Sequence, residues 1–188
     1  MTNILIVGVG GQGTLLASKI IGETAIQAGF DVKVSEVHGM AQRGGSVVTY
    51  VRFGKNVQSP IIEDGGADIV LAFEMLEALR AARYLKKTGT MIIAQQKINP
   101  MSVVMGVAKY PDDILDRLDA LNINYILFDA KAAALKAGSE KTINVAMIGK
   151  MAARLNLPRE LWLDALKASV REKHLQMNTH AFELGYGG

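Results

Sequence analysis

A chain of 188 residues, 49% apolar and 21% charged, has the size and make-up of one globular domain. Its 21 Lys and Arg are scattered among 18 acids, and the net charge of +3 comes without a basic run, so composition argues against nucleic acid as a partner. There is no cysteine, which excludes disulfides, thiolate catalysis, Cys-ligated zinc and any iron–sulfur cluster bound by the chain itself.

Residues 1–7 lead into a glycine loop without a basic leader or cleavage site. No apolar run reaches the ~18 residues of a membrane span, so the expected location is the cytoplasm, with no membrane partner. Residues 3–7 (NILIV) read as a strand buried on both faces, and Gly13 opens a predicted helix over 14–28, where Leu15, Leu16, Ile20, Ile21, Thr24 and Ala25 recur at helical spacing. Gly29 stops that helix, and the alternating valines of 31–36 predict a second strand ending near Glu36. The β-branched and aromatic run 46–53 (SVVTYVRF) predicts a third strand, Gly54-Lys55-Asn56 a turn, and 57–62 a returning partner strand that makes a hairpin.

The α/β rhythm then resumes, with a strand at 67–73, a helix at 74–86 and a strand at 90–95. A short strand is expected at 103–109, a helix at 111–121 with Asp112 and Asp113 in its first turn, and a last strand at 124–129. Helices follow at 130–137, 141–155 and 158–171, while 175–188 reads as a tail without a clear period. The expected fold is α/β: a Rossmann-like, doubly wound, mostly parallel sheet with an added hairpin and a helical C-terminal part, residues 1–188 forming a single domain.

Two glycine-bearing loops carry the candidate chemistry. The first, Gly8-Val9-Gly10-Gly11-Gln12-Gly13, lies between a strand and a helix, where backbone amides at a helix N-terminus can meet a phosphate or carboxylate. The blander alternative is that Gly8, Gly10, Gly11 and Gly13 only permit the tight turn. Gln12 adds an amide at the loop mouth. In the second loop, His38-Gly39-Met40-Ala41-Gln42-Arg43-Gly44-Gly45, the guanidinium of Arg43 suits bidentate capture of an anion, and Gly44 and Gly45 let backbone approach a ligand. Pairing of Arg43 with a surface acid is the alternative, and His38 reads as a hydrogen-bonded loop histidine rather than a base.

Glu36 falls where a dehydrogenase places its ribose-binding acid, which motivates an alternative reading as a free-standing NAD-dependent enzyme. No substrate domain with a catalytic His–acid pair follows it. Arg52, Glu63, Asp64, Asp68 and Glu74 are placed together at the carboxyl edge of the sheet, with Glu74 favoured because it follows its strand directly. No catalytic or metal-binding spacing is present, so no residue is assigned a bond-making role.

The segments GVGGQGT (8–14), SEVHGMAQRGGSVVTYVRFG (35–54), ADIVLAFEMLEALR (67–80) and NTHAFELG (178–185) together resemble the gamma subunit or domain of the 2-oxoacid:ferredoxin (or flavodoxin) oxidoreductases, in the form found in the small subunit of the indolepyruvate enzymes. The resemblance covers nearly the whole chain. It implies a complex that decarboxylates a 2-oxoacid, passes electrons to ferredoxin and transfers the acyl group to coenzyme A. Thiamine diphosphate and the iron–sulfur clusters then lie on a partner subunit, coenzyme A at the subunit interface, and this chain is inactive alone. Carried onto this sequence, Gly10, Gly11, Gln12 and Gly13 form one binding loop and Arg43, Gly44 and Gly45 the other. An aryl pyruvate is the substrate suggested by the HGMAQRGG form. A third reading leaves both loops as protein interface only.

Overall fold

Strand β1 (Thr2–Val9) is apolar without alternation because it lies near the middle of the sheet with both faces covered. The computed structural model describes residues 1–38 and 45–188. Six strands follow the order β2-β3-β1-β4-β5-β6, with β2 at Asp31–His38, β3 at Ser46–Gly54, β4 at Ala67–Ala72, β5 at Leu85–Ala94 and β6 at Tyr125–Phe128. The pairs β1–β4, β4–β5 and β5–β6 are parallel, whereas β3 runs antiparallel to both β1 and β2. The expected α/β class is therefore present, as a mixed sheet.

The added hairpin is made by β2 and β3, in register from Asp31 opposite Gly54 to His38 opposite Val47. The partner strand expected at 57–62 is absent. That segment is irregular, with bends at Gln58 and Pro60: Val57 and Ile62 are buried anchors, Val57 N donates to Asp31 Oδ2 at 2.8 Å, and Arg52 Nη1 donates to the carbonyls of Ser59 and Ile61. Both edges of β3 are already occupied by β1 and β2, so a returning strand has no ladder to join.

Eight helices among the described residues cover the two faces. Helix α1 is Thr14–Gln27, α2 Met75–Ala81, α3 Met101–Val104, α4 Ile114–Ala120, α5 Ala130–Ala137, α6 Ile143–Ala152, α7 Arg159–Ser169 and α8 Leu175–Gly187. Ile4 and Ile6 join Ile20, Ile21, Val145, Ile148, Trp162 and Phe182 on one face, while Leu5 and Val7 join Val70, Ala78, Met91, Ile114 and Leu118 on the other. The alternation of adjacent β1 side chains between two cores is the period of two of an extended chain.

Three further expectations are corrected. The helix placed at 74–86 ends at Ala81, a 3-10 turn covers Ala82–Tyr84, and β5 begins at Leu85 rather than Thr90. The strand placed at 103–109 is instead the single-turn helix α3 followed by a turn with Gly106 at φ 73°, and Met101, Val104, Met105 and Val107 are exposed. The partner edge of β5 is taken by β6. Finally, the aperiodic tail is helix α8, packed against α6.

Candidate functional site at the carboxyl edge of the sheet

The first glycine loop leaves β1 and enters α1 through two residues in left-handed backbone conformation, Gly11 at φ 99° and Gly13 at φ 83°. Gly13 is the N-cap of α1 and brings no side chain, so the amides of the first turn are left uncapped by this chain. A Cβ on Gly11 would meet nothing within 4 Å, which marks that point of the loop as open. A Cβ on Gly8 would lie 2.8 Å from Gln12 Oε1 and 3.3 Å from Phe73 Cβ, so this glycine makes room for Gln12.

The Gln12 side chain turns inward. Its Oε1 accepts from Val9 N at 2.7 Å, and its Nε2 donates to Phe73 O at 2.8 Å and Gln96 Oε1 at 3.1 Å. One amide thus ties the ends of β1, β4 and β5 together. Both Nε2 hydrogens are used within the protein, so what the loop presents outward is backbone.

The two loops meet. Gly10 N donates to Gly45 O at 2.9 Å, and the next residue, Ser46, donates its hydroxyl to the Glu77 carboxylate, which also accepts from Arg80 Nη1 at 2.6 Å. Gly45 therefore sits against the first loop. Arg43 and Gly44, with Gly39, Met40, Ala41 and Gln42, lie outside the described residues.

Glu74 is 1% exposed and lies two residues past the end of β4, at the N-cap of α2. Its Oε2 caps α2 by accepting from Glu77 N at 2.9 Å, and its Oε1 accepts from Ile98 N at 3.1 Å and from Tyr110 Oη at 2.5 Å. Burial, reinforced by the neighbouring Glu74 carboxylate, raises the Tyr110 phenol above its ordinary range, so it is a neutral donor at physiological pH. The other acids and Arg52 grouped with Glu74 are not at this edge. Arg52 stands opposite Asn3 near the start of β1, bonded to Asn3 Oδ1 at 3.0 Å, and Asp68 accepts from Asn3 N at 2.8 Å. Glu63 and Asp64 precede β4 and so lie near its amino end. The antiparallel run of β3 is what carries Arg52 to the opposite edge.

Sequence reasoning missed Glu77, Gln96, Tyr110 and Asn144. Gln96 had a readable signal, since it closely follows a strand that ends at the ligand-facing edge. Asn144, whose Nδ2 lies 3.4 Å from Gly13 O, had none. Among the described residues no group of three or more His, Cys, Asp or Glu is placed to hold a metal ion, and no helix is long and apolar enough to cross a membrane.

Glu36 does not complete a dinucleotide site. Its strand is separated from β1 by β3, it stands opposite Thr49, which stands opposite Ile6 midway along β1, and it accepts from Thr49 Oγ1 at 3.1 Å. A ribose-binding acid belongs at the end of the strand beside the glycine loop.

The family model for pyruvate ferredoxin/flavodoxin oxidoreductase matches residues 3–188. The chain belongs to this family. Within it, indolepyruvate oxidoreductase subunit IorB of Thermococcus kodakarensis is 42% identical over 190 residues, covering 97% of this chain and 93% of the relative. The common gamma subunit of the pyruvate/ketoisovalerate oxidoreductases of Pyrococcus abyssi is 24% identical, covering 97% and 96%. The fold of this oxidoreductase subunit matches that of the keto/oxoacid ferredoxin oxidoreductase gamma subunit of Geobacter sulfurreducens, with a TM-score of 0.75 at 24% identity over 100% of this chain and 97% of that one. It also matches 2-oxoglutarate:ferredoxin oxidoreductase of Magnetococcus marinus, a structure with 2-oxoglutarate, coenzyme A and succinyl-CoA bound, with a TM-score of 0.74 at 16% identity. That match covers 99% of this chain but 30% of the other, so the fold recurs there as part of a longer chain. The NAD-dependent alternative is supported neither by these likenesses nor by the position of Glu36.

Proposed function

We propose that this chain is the small subunit of an aryl-pyruvate:ferredoxin oxidoreductase, most simply one acting on indolepyruvate, and that it walls the coenzyme A side of the active site. The observation that supports this reading is the Gly10–Gly45 hydrogen bond, which brings the last residue of the second glycine loop against the first at the carboxyl end of β1. The 42% identity to IorB supports the substrate class. The reaction would consume the 2-oxoacid, coenzyme A and oxidised ferredoxin and release the acyl thioester, carbon dioxide and reduced ferredoxin.

A partner subunit would supply thiamine diphosphate for decarboxylation and iron–sulfur clusters for electron transfer, since this sequence has no thiolates for a cluster. This chain's own part is binding. Backbone amides of Gly11 and Gly13, at the uncapped start of α1, offer donors to an anion, and Arg43, followed in sequence by Gly44 and Gly45, adds a guanidinium. Uniform electrostatic capture of this kind positions coenzyme A without making or breaking a bond.

Co-expression with the thiamine- and cluster-bearing partner tests the assignment. The expected result is a stable hetero-oligomer that oxidises indole-3-pyruvate in a coenzyme A-dependent way and reduces ferredoxin. Omission of this chain should abolish the acyl transfer, and full activity in its absence would overturn the proposal.

A further inference from the structure

We propose that Glu74 is a positioning residue for the glycine loop, acting through Gln96 and Gln12. The proposal rests on the reading of that loop as the coenzyme A side of the site. A buried carboxylate is costly unless its oxygens are hydrogen-bonded, and capping a short helix does not by itself require one, because exposed Ser, Thr, Asp or Asn does the same work. Here the side chain does two things. One oxygen caps α2 through Glu77 N, and the other holds the segment after β5 through Ile98 N and Tyr110 Oη.

That second hold fixes Gln96. Its backbone carbonyl accepts from Met75 N at 3.0 Å, next to Glu74, and Ile98 N is fixed two residues beyond it by the carboxylate itself. Gln96 Oε1 then receives Gln12 Nε2, whose other acceptor is the carbonyl of Phe73, immediately before Glu74. The pose of Gln12, and with it the turn from Gly10 to Gly13, is thus set by groups on either side of one buried acid. Without the carboxylate, Ile98 N and Tyr110 Oη lose their acceptor, and Gln96, still held at its backbone by Met75 N, loses the anchor two residues beyond it, so the acceptor of Gln12 Nε2 is less firmly placed.

The test is a double-mutant cycle in the assembled complex, with Glu74→Ala, Gln12→Leu and the two combined. Each single variant should raise KM for coenzyme A roughly tenfold, as a displaced binding loop does. The kcat at saturating coenzyme A should stay within about twofold, because the lost interaction is one of binding. The combined variant should be no worse than the worse single one, since both break the same path. Glu74→Gln, which keeps an oxygen for Ile98 and Tyr110, should restore most of the affinity.

Additive effects, or no change of KM in Glu74→Ala, would overturn the positioning role. If Glu74→Ala does not assemble, Tyr110→Phe replaces it in the same cycle, and additivity with Gln12→Leu again counts against the proposal. A silent Gln12→Leu would remove the coenzyme A reading of the loop and this inference with it, whereas a raised KM in Gln12→Leu beside an unaltered Glu74→Ala removes the inference alone.

Discussion

Gly13 is under two constraints that no other residue type meets. Its φ of 83° is left-handed, and a Cβ there would press into Asn144 Nδ2 and lie 3.1 Å from Asn144 Cγ. Gly13→Ala should therefore lower stability by about 1–3 kcal/mol, read as the shift of a denaturant-unfolding curve. Adding Asn144→Ala should recover the steric share but not the backbone share, so the double variant stays below the wild type. A loss of only a few tenths would show that the loop relaxes freely and is not held in shape. The loop itself was legible in the sequence because strand, glycines and helix are contiguous. Its supports were not: Gln12 meets Gln96 across 84 residues and Asn144 reaches Gly13 across 131, distances over which no local pattern carries information.

At the scale of elements, α6 and α8 pack backbone against backbone, and glycines on both helices make this possible. A Cβ on Gly185 would overlap the Ala146 carbonyl and lie 3.0 Å from Lys150 N, and one on Gly149 would overlap the Phe182 carbonyl and lie 2.9 Å from Tyr186 N. Overpacking against backbone has no side chain to yield, so Gly185→Ala should cost about 3 kcal/mol or more, with loss of helical circular dichroism on mild heating. Gly187→Ala, where a Cβ meets nothing, should be neutral or slightly stabilising, and equal effects at the two positions would refute the packing argument. The same glycines explain why 175–188 looked like a tail: residues chosen for close contact are poor helix formers, so local propensity disagrees with the tertiary result. Strands β1, β3 and β4 and helices α1 and α5 were legible because pattern and packing agree there. The 103–109 stretch was misread for the opposite reason: its β-branched composition suggests a strand, but the chain turns at Gly106 in left-handed conformation and leaves Val104 and Val107 exposed, without the packing that makes such residues favour a sheet.

At the scale of the whole molecule, one inserted antiparallel strand changes what the sheet can bind. In a dinucleotide fold the second strand lies beside the first, and its terminal acid reaches the ribose of a nucleotide seated on the glycine loop. Here β3 occupies that place, so β2 is displaced by a further strand spacing, to roughly 10 Å from β1. Glu36 stands opposite Thr49, short of the strand end, and Gly45 is held against the first loop by Gly10. The acid that would meet an adenosine ribose is thus one strand too far out, although GVGGQG followed by an acid reads as a dinucleotide signature in one dimension. Calorimetric titration of the isolated chain with NAD and NADH should give no saturable heat, and micromolar binding of either would mean that the displaced acid does not prevent nucleotide binding. The same topology leaves the start of α1, which has no side-chain cap, at the edge where β1, β4 and β5 end. An anion brought by a partner or by coenzyme A can reach it there without crossing β3.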